Sequence, residues 1–179
     1  MSGSSSFQFE LECPFAEGKR IRAYMVRLDF RVIGRGVCLT GRGDGYASDY
    51  FPPLARKLLD GTAPILRGEE FTAVFHYMNG RLVFTPSTDE TVIVSATAAD
   101  GTKLNPDVPG RGVAVSKAAI VEEILRLGAH VETNLEAVVP DFDDERIQTF
   151  LHAYENAQRV AREHGIEAPE PVEYGTDRE

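Results

Sequence analysis

Four histidines, two cysteines and one dense run of carboxylates are the side chains of this chain best equipped for chemistry, and their spacing limits what each can do. Cys13 and Cys38 belong to no CxxC pair and to no Cys/His ligand spacing, so they read as thiols in a reducing compartment, packed as small apolar residues. His76 alternates on a strand face with Thr72, Val74 and Met78. A general base there would need a nucleophile and an orienting acid, and no residue pattern pairs Cys38 or any serine with it.

His130 and His152 invite a different question. If the two C-terminal helical segments fold back on each other, these imidazoles fall at matched heights, with Glu132 or Glu155 as further ligands. That is the arrangement of bundle metal sites. Neither histidine sits in a HExxH or ExxH pattern, however, and both flank the apolar stripe, so they are expected to be boundary residues. No catalytic residue, metal or cofactor is assigned.

Gly41-Arg42-Gly43-Asp44-Gly45 precedes a helical segment and could offer backbone N–H groups to an anion, with Arg42 adding charge. It lacks the Lys-Ser/Thr pair of a Walker A loop and the spacing of a dinucleotide fingerprint, and a tight turn explains its glycines. If a small ligand is bound, this loop and the neighbouring strand suggest a pocket lined by Arg42, Asp44 and His76.

Asp141, Asp143, Asp144 and Glu145 stand at a helix start, where the dipole favours negative charge. They are also the densest part of a lopsided charge distribution. Residues 1–60 carry nine Lys/Arg against seven Asp/Glu, residues 61–112 four against six, and residues 113–179 six against fifteen, which places the net charge of -9 in the last third. Such a surface repels duplex DNA and anionic membranes and steers a basic protein toward it. Arg20, Arg22, Arg27, Arg31, Arg35 and Arg42 crowd the first quarter, and their interleaved aromatics point to the opposite face, unlike a base-stacking platform.

The elements that must position these residues follow from periodicity. Phe7, Phe9, Leu11 and Cys13 alternate with polar residues as a half-buried strand ended by Pro14. Arg20 to Leu39 is strand-like, with a phase change near Ala23 to Met25 that reads as a bulge and a break at Gly34 and Gly36. Ser48 or Asp49 is placed to cap a helix opened by Pro52 and Pro53 and closed at Asp60-Gly61 by a left-handed residue. Phe71 to Met78 and Arg81 to Thr85 flank Asn79-Gly80, which predicts a two-residue hairpin in which Phe75 faces Phe84 and Tyr77 faces Leu82. Thr91 to Ala96 supplies a further strand.

Ile120, Ile124, Leu127, Val131, Leu135 and Val138 form a helical stripe capped by Ser116. Ile147, Phe150, Leu151, Tyr154, Ala157 and Ala161 form a second stripe, ended by His164-Gly165. These patterns predict an α+β fold: an antiparallel five- or six-stranded sheet with one short helix and a C-terminal antiparallel helical hairpin. The expected organisation is a disordered residue 1–6 segment and a single domain over 7–166, divided into sheet 7–98, linker 99–115 and hairpin 116–165. A disordered acidic tail is expected over 167–179.

No apolar run reaches membrane-spanning length and the first residues lack a signal pattern, so a cytoplasmic protein is expected. The expected function is that of a non-catalytic acidic interaction protein, such as an inhibitor or immunity-type protein, binding a basic protein partner through Asp141, Asp143, Asp144 and Glu145. The alternatives are a small enzyme or ligand-binding protein with its pocket at the Gly41–Gly45 loop, and a self-assembling subunit that is a homo-oligomer through the helical hairpin.

Overall fold

A computed structural model describes residues 6–22, 25–41, 45–138, 145–170 and Tyr174. The chain is α+β, and among the described residues nine strands, all paired antiparallel, are divided between two sheets.

The first sheet is built on one long strand. β1 (Phe7–Leu11), β2 (Lys19–Arg22), β4 (Val37–Cys38) and β5 (Ala47–Phe51) all pair with β3 (Met25–Gly34). Val26, Leu28, Phe30 and Val32 of β3 are buried in strict alternation, as expected of a strand with one covered face. β2 and β3 are antiparallel neighbours, Lys19 pairing with Arg27 and Arg22 with Met25, so the opposite phases belong to two paired strands; the register shifts between Arg20 and Arg22, while Ala23 and Tyr24, within the stretch where a bulge is expected, lie outside the described residues. The break at Gly34 is a two-residue turn with positive φ at Arg35 and Gly36 (50° and 78°), after which β4 returns along β3.

Ser48 and Asp49 cap no helix. Both lie in β5, where Ser48 donates its hydroxyl to Asp29 on β3. The helix α1 (Pro53–Asp60) starts instead at two prolines that need no N–H partner. At its end Gly61 keeps right-handed helical angles (φ -77°, ψ -13°), and the chain runs on into α2 (Thr62–Arg67), which ends at the left-handed Gly68. A glycine is required at position 61 for space, because a Cβ there would stand 2.3 Å from the ring of Phe71.

The second sheet is a meander of β6 (Phe71–Val74), β7 (Arg81–Pro86), β8 (Thr91–Thr97) and β9 (Val113–Ser116). β9 and a bridge between Thr97 and Lys103 occupy part of the stretch 99–115 that composition assigns to a linker. The Asn79-Gly80 hairpin has a different register from the expected one: Phe84 pairs with Phe71, and β6 stops at Val74. The shift from residue 75 to residue 71 is an even number of positions, so the inward face of Phe71, Ala73, Leu82 and Phe84 is preserved.

Two helices complete the fold. α3 (Lys117–Val138) is capped by the Ser116 hydroxyl, which accepts the Ala119 N–H, and its apolar stripe is buried throughout. α4 (Glu145–Glu163) buries Ile147, Phe150, Tyr154, Ala157 and Ala161 and is followed by His164 and Gly165, the latter at φ 75°. α3 packs on β1, β9, α1, α2 and α4. One hydrophobic cluster holds residues of both sheets and all four helices, tied by ring contacts from Phe7 to Phe84 (6.4 Å) and from Phe30 to Phe75 (5.5 Å). No helix among the described residues is long and apolar enough to cross a membrane.

Candidate functional site

Asp49 is the charged side chain around which one end of the molecule is organised. It is 0% exposed, and its Oδ1 accepts the backbone N–H groups of His76 and Tyr77, each at 2.9 Å. β6 ends at Val74, before these two donors. Oδ2 is buried with no hydrogen-bond partner among the described residues. Burial pushes the carboxyl pKa above its ordinary value, against the opposing effect of the backbone donors at Tyr50, Tyr77 and His76.

His76 and Tyr77, whose N–H groups Asp49 accepts, have exposed side chains, while Phe75 beside them is buried in the core. Tyr77 is 47% exposed, meets Tyr50 edge-to-face at 5.5 Å, and carries the Arg27 guanidinium over its ring at 4.9 Å. His76 lines a pocket of about 320 Å³ opened by the start of α1 and the first turns of α4. Arg56, Lys57 and Arg146 supply its positive charge, Thr149 a hydroxyl, and Pro52, Pro53 and Phe150 an apolar wall. Lys57 donates to the Val74 carbonyl at 2.5 Å, and burial lowers its pKa, with the neighbouring Asp49 acting in the opposite sense.

A second, more open groove of about 450 Å³ lies beyond Thr149, lined by Asp60, Glu145, Gln148, His152 and Asn156. Its two carboxylates face solvent: Glu145 is exposed, and Asp60 pairs with Arg56 at 3.4 Å. Burial raises the Asp60 pKa despite that arginine.

The other polar cluster lies inside α3. Glu123 and His130 are seven residues apart on one helix face and are 2% and 4% exposed. Glu123 Oε1 accepts the Phe9 N–H at 2.9 Å, and His130 Nε2 accepts the Phe15 N–H at 3.0 Å, so the helix holds the N-terminal segment by two backbone donors. Tyr174 covers both: its hydroxyl donates to Glu123 Oε1, and its ring meets His130 at 4.9 Å. Arg126 pairs with Glu123 Oε2. Burial lowers the His130 pKa to about 4 and raises that of Glu123. The groups are bonded to one another and to the backbone, which marks a structural staple.

Comparison with protein-family models, with curated proteins and with solved structures returns no match for this chain. The geometry alone must carry the reading.

Of the residues singled out in the sequence, Glu145 is exposed at the start of α4, while Asp141, Asp143 and Asp144 lie outside the described residues. Arg42 and Asp44 also lie outside them. His76 does line a pocket, but α1 and α4 form its described walls. The flanks of the glycine loop are held inward by Thr40, whose hydroxyl accepts the Val32 N–H and donates to the Gly45 carbonyl. His130 and His152 are not brought together: one is in the core beside Phe15, the other on the exposed groove. Among the described residues no group of three or more His, Cys, Asp or Glu side chains is placed to hold a metal ion. Cys13 and Cys38 are free thiols.

Sequence reasoning missed Asp49, Glu123, His130 and Tyr174 as buried polar anchors. For Glu123 and His130 a signal existed, since two polar residues one heptad apart fall among the apolar positions of α3. For Tyr174 the only signal was a lone aromatic in an acidic tail.

Proposed function

We propose that this chain is a non-catalytic acidic interaction protein that docks a basic protein partner, as an inhibitor or immunity-type protein would, through the start of α4. The observation that carries this reading is Glu145, exposed in the first turn of α4 and lining an open groove together with Asp60. It directly follows Asp141, Asp143 and Asp144 in the chain, within the third that holds the excess negative charge.

The contacts of two N-terminal arginines support it. Arg31 pairs with Glu10 on β1 and lies over Tyr46, and Arg27 donates to Tyr77 between β6 and β7, so both guanidinium groups have partners away from the start of α4. A surface rich in carboxylates steers a basic surface and repels duplex DNA.

The test is affinity capture from the native lysate with the wild type and with a chain carrying Asp141→Lys, Asp143→Lys, Asp144→Lys and Glu145→Lys. A basic protein retained only by the wild type, and released as salt shortens the Debye length toward about 3 Å at about 1 M, supports the reading. Equal capture by both chains, or retention indifferent to salt, overturns it.

A further inference from the structure

Glu123 and His130 join α3 to segments that lie far apart in the sequence. Glu123 Oε1 accepts the N–H of Phe9 in β1, and His130 Nε2 accepts the N–H of Phe15, which opens the short turn Phe15–Glu17. Tyr174 donates to the first acceptor and lays its ring against the second. Neither acceptor is a backbone group. A glutamate and a histidine hold an N–H only while their own side-chain torsions are fixed, and Tyr174 touches both.

The N-terminal side of this junction moves as a piece. Among the described residues β1 pairs with β3 alone, and its Phe9 N–H goes to Glu123. Glu12, Cys13 and Pro14 are all that separate β1 from Phe15, so the strand and the turn leave α3 together. On the other side, the segment after α4 is held at two described points. Ile166 and Tyr174 are buried, while Glu167, Ala168 and Glu170 between them are exposed. Stretches with so little buried surface belong to the low-stability end of a protein, where local opening precedes global unfolding.

We propose that Tyr174 latches the segment Phe7–Glu17 to α3. Its release frees Glu123 and His130 at once, and β1, the turn and the segment after α4 open as one unit below the global transition. Capture of Tyr174 from outside would thereby uncover Phe7, Phe9 and Leu11, which are buried in the closed chain. The latch uses neither Glu145 nor the groove that Asp60 lines, so it stands whether or not a basic partner docks there.

The experiment is native-state hydrogen exchange of the full chain, read amide by amide by NMR over a series of low urea concentrations. In the wild type the Phe9 and Phe15 amides should share one urea dependence and one opening free energy, lower than those of the β7–β8 ladder. Tyr174→Phe should raise exchange at both amides by the same factor, at least about tenfold, although the lost hydroxyl bonds only to the acceptor of Phe9. Tyr174→Ala should raise both by at least about a hundredfold. Circular dichroism checks the fold of each variant. Should Tyr174→Ala not fold, Tyr174→Phe and the wild-type urea series decide. A rise at Phe9 without an equal rise at Phe15, unchanged exchange at both, or amides that exchange only on global unfolding would each overturn the latch.

Discussion

The Tyr174 hydroxyl donates to Oε1 of Glu123 at 2.9 Å, joining the last described residue to the second turn of α3. Tyr174 is only 7% exposed, although it stands in a segment whose composition suggests disorder, and burial first, then the charge of Glu123, raise its pKa so that the hydroxyl remains a donor. Tyr174→Phe keeps the ring on His130 and removes one bond to a buried carboxylate, at an expected cost of about 1.5–3 kcal/mol. Tyr174→Ala also removes the ring and should cost about 3–5 kcal/mol. Urea denaturation of the two variants measures both; a Tyr174→Ala chain as stable as the wild type would show that the contact contributes nothing.

His130 gives the fold a defined acid dependence. Its Nε2 must be unprotonated to accept the Phe15 N–H, and burial lowers its pKa to about 4 from an ordinary value of 6.5. The unfolded chain therefore binds this proton at higher pH than the folded one. The stabilising contribution is complete above about 6.5, declines as pH falls, and is lost by about 4, amounting to at most roughly 3 kcal/mol. Glu123, with its raised pKa, acts in the opposite direction. Comparing the wild type with His130→Gln isolates the histidine: the stability difference between the two should shrink or reverse on acidification across that window.

Asp49 separates a hydrogen-bond effect from a charge effect. Asp49→Ala leaves the His76 and Tyr77 N–H groups without their acceptor and should cost about 1–3 kcal/mol. Asp49→Asn retains an acceptor oxygen and removes the buried charge. Because the folded pKa is raised, the unfavourable charge contribution is full above that pKa and fades as pH falls toward the unfolded value. The asparagine variant should therefore equal or exceed the wild type by up to about 1 kcal/mol at neutral pH, an advantage that disappears in acid. Thermal unfolding over a pH series reads the result.

Gly61→Ala should be destabilising by about 1–3 kcal/mol, although the backbone there has helical angles that ordinarily favour alanine. The added Cβ would lie 2.3 Å from the Phe71 ring. Combining it with Phe71→Leu should recover part of the loss, and a double-mutant cycle measures the coupling. Strict additivity of the two changes would rule out the contact as the cause.

Much of the architecture was legible because burial imposes periodicity on sequence. The stripes of α3 and α4, the alternation of β3 and the turn at Gly34 all come from one-sided covering of a local element, which needs only neighbours in the chain. The phase change between β2 and β3 shows the limit of that logic, because only the pairing partners show that the phases belong to two strands and that the register shifts between Arg20 and Arg22. The β6–β7 register shows another. Asn79-Gly80 has the right chemistry for a two-residue turn, but β6 stops at Val74 and the His76 and Tyr77 N–H groups go to Asp49 on a different strand.

The candidate sites were less legible for the same reason. Glu145 could be named from its run of acids, and His76 from its residue type. The pocket, however, gathers residues from positions 52–57, 76 and 146–150, which no local window spans.

The amino-acid sequence by itself determined the α+β class, the two long amphipathic helices and the concentration of negative charge in the last third, since each depends on residue type and short-range spacing. Only the tertiary structure decided that the strands divide into two sheets, that Tyr174 closes over Glu123 and His130, and that cations collect beside Phe150 in an otherwise acidic chain. Those outcomes depend on which buried polar group finds which distant partner, and an unpaired donor or charge costs the same wherever in the chain its partner lies.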